Sequence, residues 1–341
     1  MKPSSLMLKT LLVIFSLLST LCQGAERHDT DKITLSDLDN VIRHASEYDK
    51  VREDRLDSCR TALTYSKTLE QKYLLYFTMR QTFDRYRTDS ATFYAVKSLD
   101  AAKELGRQDY ISASSLALAK QYMTSGMSYD ALATLNRVNR SALPEKSREE
   151  LYLFYMSIYE SLEGLGIDQS LKQYYSSKAS VYKDSIASQF PDNVVGKSER
   201  FLLEGDYKSA LDVLLRKYGS LSPESPENGP VAIAIADIYL SIGWNDAAKD
   251  YMIASAYSDI VNAKKEYVAL RMLATMLYED GDIKRAYSYL NKALDDANFC
   301  KARLKVDALA PLISIVNESY IEAKKKDLKI LYAGFGVLCF L

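Results

Sequence analysis

Histidines, cysteines and paired carboxylates are the residues of this chain whose chemistry could support catalysis or metal binding. The only two histidines among the 341 residues are His28 and His44. His44 and Glu47 would share one helix face at positions i and i+3, which is half of a metal site, but no third ligand is evident. A solvated helix face explains the pair more simply. We therefore predict no metal site.

The acidic pairs and the cysteines form no catalytic pattern either. Glu149-Glu150 and Asp295-Asp296 are adjacent in sequence, and adjacent side chains of a helix point in different directions. Cys59 and Cys300 are expected at opposite ends of the fold, which disfavours a disulfide between them. No Gly-rich phosphate loop, nucleophile elbow or Cys-x-x-Cys motif occurs. The sequence therefore predicts a protein that is not an enzyme and binds no cofactor.

Five glycines indicate the elements that would position a binding site. They recur at intervals of 38 to 40 residues, at Gly126, Gly166, Gly205, Gly243 and Gly281. A period of this size is typical of stacked helical units rather than of one globular core.

The residues around these glycines predict a pair of helices in each unit. Before Gly281, large apolar residues and the small Ala274 recur at helical spacing, which predicts a first helix with one buried face. The glycine would end that helix in a left-handed conformation. After it, Ala286 and Ala293 would let a second helix approach closely. Each pair would expose apolar surface that only the next pair covers.

The other units keep this pattern to different extents. It is clear at Gly243, good at Gly126, and present only in the second half at Gly205. At Gly166 it has decayed, with Leu171 where alanine is expected. A unit without glycine is predicted from Leu75 to Leu105, with Asp89-Ser90-Ala91 as its turn and second-helix start.

These positions resemble the landmark positions of the tetratricopeptide repeat (TPR) family. The resemblance implies an all-α, TPR-like α-α superhelical solenoid. Another helical repeat of similar period, such as the HEAT type, is the alternative. Because the chain carries 44 basic and 45 acidic side chains, no bulk charge attracts it to nucleic acid.

The two ends of the chain indicate export and a membrane. Lys2 and Lys9 precede an apolar stretch from Leu11 to Cys22, with Gly24 after it, which is typical of a cleaved signal peptide. An uncleaved anchor is the alternative. Residues 330–341 carry no charge, but as a helix they would be about 18 Å long, against about 30 Å of bilayer hydrocarbon. We expect them to begin a transmembrane helix that is truncated, or else to be an apolar tail that docks on the last repeat.

The expected organisation has five parts. They are a signal peptide at 1–24, an N-terminal helical cap at 25–70, TPR-like repeats at 71–299, a C-terminal helix at 300–329 and the start of a truncated transmembrane helix at 330–341. The helix from Leu38 to Leu63 is expected to cap the stack or to occupy its groove.

Beyond the repeat, the chain is similar to a family of bacterial membrane proteins found in Bacteroidetes. The similar residues are Leu38-Asp39 through Glu47-Tyr48, Arg55-Leu56-Asp57, Asp89-Ser90-Ala91, and Lys265-Glu266 through Ala297-x-Phe299-x-x-Ala302-Arg303. Members of that family combine an export signal, a periplasmic TPR-like array, one membrane helix and a cytoplasmic coiled coil, and many end in a helix-turn-helix-like DNA-binding segment. The resemblance implies a sensor or regulator that is exported, periplasmic and anchored in the inner membrane. The output segment lies beyond this sequence, so no direct contact of this chain with nucleic acid is expected.

In TPR arrays the first helix of each pair lines a concave groove, which implies a set of groove residues here. They are Leu116, Lys120 and Met123; Val195, Glu199 and Leu202; Ile233, Asp237 and Leu240; and Arg271, Thr275 and Tyr278. Apolar anchors with one polar residue per unit suit an extended peptide or a partner helix as ligand. The alternative is that the apolar members only pack between repeats.

The leading functional prediction is a non-enzymatic TPR scaffold that binds a ligand or protein and belongs to a membrane-anchored sensor or transcriptional regulator. A free periplasmic TPR adaptor is the alternative. An α-helical enzyme that processes polysaccharides is a remote one.

Overall fold

The structure is a computed structural model that describes residues 32–165, 168–266, 268–300 and 303–340, with the backbone alone at 303–308 and 333–340. In these ranges all regular structure is helical, with fifteen α-helices and a short 3-10 helix at Arg140–Ala142. The α-helices are α1 (Leu35–Arg43), α2 (Ala45–Tyr65), α3 (Leu69–Phe83), α4 (Thr88–Glu104), α5 (Gln108–Thr124), α6 (Ser128–Leu135), α7 (Glu145–Leu165), α8 (Gln169–Gln189), α9 (Val194–Leu203), α10 (Tyr207–Gly219), α11 (Asn228–Ser241), α12 (Asn245–Val261), α13 (Val268–Glu279), α14 (Ile283–Phe299) and α15 (Arg303–Phe340). The all-α prediction is confirmed.

Helices α3 to α14 form six successive pairs, from α3–α4 to α13–α14. The two helices of each pair pack on each other, and each pair packs on the next. The first pair is the predicted unit without glycine, although it begins at Leu69 and its turn lies at Asp84–Arg87. Asp89 and Ala91 lie in the first turns of α4.

The repeated glycines end the first helices by the predicted mechanism. Gly126, Gly205, Gly243 and Gly281 have φ angles between +74° and +83°. In each case the N–H of the following residue donates to the carbonyl oxygen four residues before the glycine, at 2.8 Å, which is the Schellman motif. A Cβ added at Gly281 would meet no atom within 4 Å, so the left-handed backbone is the reason for glycine there. Gly166 lies outside the described residues.

Buried alanines set the close packing of the second helices. Ala131, Ala210, Ala248 and Ala286 each lie five residues after a repeat glycine, and all four are fully buried. A larger side chain at such a position would overpack the contact between the two helices.

The N-terminal helices dock far along the chain. Thr34 and Asp37 form a capping box that starts α1, and α1 packs on α12. The Asp39 carboxylate accepts hydrogen bonds from Arg285 Nε at 2.9 Å and from Tyr289 Oη at 2.7 Å. Helix α1 therefore lies on the second helices of the fifth and sixth pairs, a position that the sequence did not predict.

The turn between α3 and α4 meets the turn between α12 and α13 and the end of α14, in what we name the closure contact. The Lys265 N–H donates to the Arg85 carbonyl oxygen at 2.7 Å. The Tyr86 carbonyl accepts from Cys300 Sγ at 3.0 Å, and the rings of Tyr86 and Phe299 lie 5.0 Å apart. The array therefore curves until helices near its two ends touch.

This contact overturns one expectation from the sequence. Cys59 packs in a cluster with Leu56, Met79 and Tyr86, and Phe299 packs against the same cluster. The prediction that Cys59 and Cys300 lie at opposite ends is wrong, because it assumed that each unit touches only its neighbours. Both cysteines are buried and in the thiol form.

The last helix continues from the sixth pair to the end of the described chain. Helix α15 has 38 residues and contains Pro311. Within the described ranges, no helix has the length and apolar character that a membrane crossing requires. The predicted signal peptide at 1–24 lies outside the described residues.

Candidate ligand-binding groove

Two adjoining cavities lie along the first helices of the pairs. The first cavity has a volume of about 490 Å³ and is lined by α3, α5 and α7. The second has a volume of about 670 Å³ and lies among α2, α9, α10, α11 and the turns between helices. Gln81, Asp84 and Lys120 line both cavities. We therefore treat the two cavities as one groove.

Helical spacing explains why these residues face the groove. On α5 the lining residues are Ala113, Leu116, Ala117 and Lys120, at positions i, i+3, i+4 and i+7 of one face. On α11 the lining begins at Pro230 and reaches Ala234 one turn later. The first helices of the first five pairs thus each contribute residues to this groove.

The structure places four of the twelve predicted groove residues in this lining. Leu116 and Lys120 line the first cavity, and Val195 and Glu199 line the second. Four apolar members, Met123, Leu202, Ile233 and Leu240, are half-buried against the core clusters, and Asp237 is exposed.

The remaining three predicted residues lie on α13, which does not line either cavity. Arg271 and Thr275 are half-buried, and the Thr275 hydroxyl donates to the Arg271 carbonyl oxygen at 3.1 Å. The hydroxyl of Tyr278 lies 3.1 Å from Ser319 Oγ on α15. Helix α15 thus packs near the face that the repeat pattern assigns to the groove.

Sequence reasoning missed the lining residues that come from outside the repeat pattern. Arg52 lies on α2, and Arg85 lies in the turn between α3 and α4. Lys146 and Glu149 lie near the start of α7. The repeat pattern around Gly166 has decayed, so it did not indicate which residues of α7 would face the groove. Arg52 bonds to the carbonyl oxygens of Asp84 and Asn262, so it lines the groove beside the closure contact.

An ion pair at the junction of the two cavities fixes the charge there. Lys120 Nζ donates to Asp84 Oδ2 at 2.7 Å, and Gln121 Nε2 donates to Asp84 Oδ1 at 3.2 Å. Burial alone would raise the pKa of the Asp84 carboxyl. The Lys120 ammonium and the two hydrogen bonds outweigh burial, so the pKa lies below its usual value.

Other charges of the second cavity are also bonded to the protein. Lys217 pairs with Glu227 at 2.7 Å, and Arg85 with Glu266 at 3.6 Å. Lys264 Nζ donates to the Pro226 carbonyl oxygen at 2.6 Å, and burial lowers the pKa of that ammonium. Paired charges between apolar side chains suit recognition of a polar ligand more than proton transfer.

No metal chemistry is indicated either. In the part of the chain that the structure describes, no group of three His, Cys, Asp or Glu side chains could hold a metal ion.

Comparison with protein families identifies the array. The model of a family described as the SusR N-terminal TPR domain matches residues 42–309. The chain belongs to this family. The match covers the six pairs, the groove and the closure contact, so all three belong to the SusR-type TPR domain.

Solved structures similar to this SusR-type domain include other TPR proteins. The APC/C hetero-tetramer Cut9–Hcn1 shares 14% identity at a TM-score of 0.44, covering 88% of this chain and 54% of that one. NprR in complex with its cognate peptide NprX shares 15% identity at a TM-score of 0.38, covering 92% and 80%. A thermophilic TPR protein of Thermus thermophilus shares 15% identity at a TM-score of 0.32, covering 71% and 99%. No curated protein sequence matches the chain.

Proposed function

We propose that this SusR-type TPR domain is the ligand-binding part of an exported sensor or transcriptional regulator. It works in the periplasm and is anchored in the inner membrane through its C-terminal apolar segment. Its groove binds an extended peptide or a segment of a partner protein. The chain itself catalyses no reaction and does not contact nucleic acid.

The two adjoining cavities of the groove are the observation that carries this proposal. Its floor alternates apolar side chains such as Leu116, Val195 and Ala234 with charged side chains held by neighbours. An extended peptide alternates side chains and exposed backbone groups along its length, and such a surface can receive both. The combined volume exceeds what one small ion or water cluster needs.

Blocking the groove tests the binding function. Peptides are selected from a random phage-displayed library on the purified chain, and their affinity is measured by fluorescence polarisation. Val195→Glu places a charge in the second cavity, where Val195 is 45% exposed, and should weaken binding at least tenfold. Val181→Glu is the matched control, because Val181 is 57% exposed on α8 and lines neither cavity.

Two outcomes would contradict this function. One is that the library yields no peptide above background. The other is that the selected peptides bind the Val195→Glu and Val181→Glu variants equally well.

The proposed location is tested with an enzyme fusion. Alkaline phosphatase, which needs disulfides and so works only outside the cytoplasm, is fused after residue 341 and expressed in a bacterial host. We expect activity with the complete chain and at least a tenfold loss when residues 2–24 are deleted. Fusion protein released by osmotic shock without detergent would favour the free adaptor, and activity without residues 2–24 would contradict the signal peptide.

A further inference from the structure

The first cavity is lined by a buried arginine, Arg80, whose Nε–H lacks a hydrogen-bond partner in the described ranges. Arg80, on α3, is 7% exposed and lines the cavity. Its buried Nε–H has no acceptor within the described ranges. A buried polar group without a partner costs free energy, and a buried cation costs more. Arg80 also forms no ion pair in the described ranges, so a counter-ion for its charge is expected to come from the cavity that it lines.

The nearest carboxylates do not supply that partner. Asp84 and Glu150 act on Arg80 through their charge. Neither of them accepts a hydrogen bond from Arg80 Nε, and the Asp84 oxygens accept instead from Lys120 and Gln121. Glu150 is exposed at the rim. Burial lowers the pKa of Arg80 below its ordinary value, but an arginine remains protonated at neutral pH, so the positive charge stays in the cavity.

We propose that Arg80 anchors a carboxylate of the ligand that the groove binds, an inference that rests on the proposed function. A guanidinium offers two parallel N–H donors to the two oxygens of a carboxylate. One carboxylate also balances one unpaired cation. A phosphate dianion would bring a second negative charge towards Asp84 and Glu150, which disfavours it.

The surroundings of Arg80 indicate what lies beside the carboxylate. The centroid of the Phe77 ring lies 5.1 Å from Cζ of Arg80, and this contact restricts the orientation of the guanidinium plane. Leu116 and Ala117 form an apolar wall of the same cavity. The ligand group is therefore a carboxylate that follows an apolar portion, either an acidic side chain of a peptide or its C-terminus.

A small carboxylate tests the anchor directly. Acetate should raise the thermal unfolding midpoint of the wild-type chain in a saturable way, whereas neutral acetamide of the same shape should not. Arg80→Met should abolish the acetate effect. Arg60→Met, which removes an exposed arginine on α2, should leave it intact. The same response in Arg80→Met and wild type, or no response in the wild type, would overturn the proposal.

Matched peptides distinguish the two sources of the carboxylate. Each selected peptide is compared as a free acid and a C-terminal amide, and with its Asp or Glu changed to Asn or Gln. One of these changes should weaken binding to the wild type about 10- to 100-fold and have no effect on Arg80→Met. If both changes are silent while binding stays sensitive to Val195→Glu, the anchor is wrong and the proposed function stands. If no peptide binds but the acetate effect holds, the peptide function fails and the carboxylate site stands.

Stability without ligand separates an anchor from a structural arginine. Removing an unpaired buried cation should leave the urea midpoint of Arg80→Met equal to or above that of the wild type. A clearly lower midpoint would show that Arg80 serves the fold, and would contradict the proposal.

Discussion

Lys265→Met is expected to destabilise the chain by about 1–3 kcal/mol, since it removes a buried ammonium and leaves the half-buried Asp49 carboxylate without its ion-pair partner. The Lys265 side chain is 5% exposed, and its Nζ lies 2.6 Å from Asp49 Oδ2 and 3.3 Å from Asp296 Oδ1. Asp296 would keep Lys292 as a partner at 2.6 Å. Asp49 Oδ1 has no hydrogen-bond partner in the described ranges, so the variant would leave that carboxylate without its ammonium.

Urea unfolding followed by circular dichroism measures this loss. Lys284→Met is the matched control, because Lys284 also pairs with an aspartate, Asp327 at 3.2 Å, but on the surface. Its loss should cost less than about 1 kcal/mol. Small-angle scattering under native conditions should show a larger radius of gyration for Lys265→Met, because Asp49 belongs to α2 and Lys265 to the closure contact. Equal unfolding midpoints for the two variants would contradict the role assigned to Lys265.

Tyr289→Ala should cost about 3–5 kcal/mol, because it empties a fully buried aromatic site on α14. Tyr289 also holds α1 through its hydrogen bond to Asp39. Tyr289→Phe keeps the ring and removes only the hydroxyl, with its bond to Asp39 and its longer contact to the Leu35 carbonyl oxygen at 3.4 Å, so its cost should be about 1.5 kcal/mol. Arg285 remains as a partner of Asp39 in both variants.

Hydrogen exchange locates the effect. In Tyr289→Ala the amides of α1 should lose protection first, while those of α7 keep theirs. In Tyr289→Phe protection of α1 should fall only slightly. If Tyr289→Phe cost as much as Tyr289→Ala, the hydroxyl rather than the ring would be the main contribution. Uniform loss of protection in all helices would argue against a local role in docking α1.

The repeated parts of the fold could be predicted because they depend on local chemistry. A left-handed residue at Gly281 and a fully buried alanine at Ala286 follow from their own spacing along one helical hairpin. Leu116 and Lys120, which the same local rule selected, line the first cavity.

The closure contact could not be predicted from the repeat. It joins Arg85 to Lys265, and its geometry depends on the curvature added by every pair in between. Lys265 and Phe299 lie in the stretch that carries the resemblance to the Bacteroidetes family. In the structure both residues pack on Tyr86. No local pattern in the sequence identifies Tyr86 as their partner. The lining by Arg52 was missed for the same reason.

Arg52 links the groove to the curvature of the array. Its guanidinium donates to the Asn262 carbonyl oxygen at 2.7 Å and to that of Asp84 at 3.2 Å, and it also lines the second cavity. If a ligand binds the curved array more tightly than an opened one, saturating ligand shifts the equilibrium towards the curved array by the ratio of the two affinities, because linkage is reciprocal. Phe299 ends α14, and α15 begins only four residues later, at Arg303. Occupancy of the groove would thus favour the curved form, in which Phe299 is held against Tyr86 directly before α15.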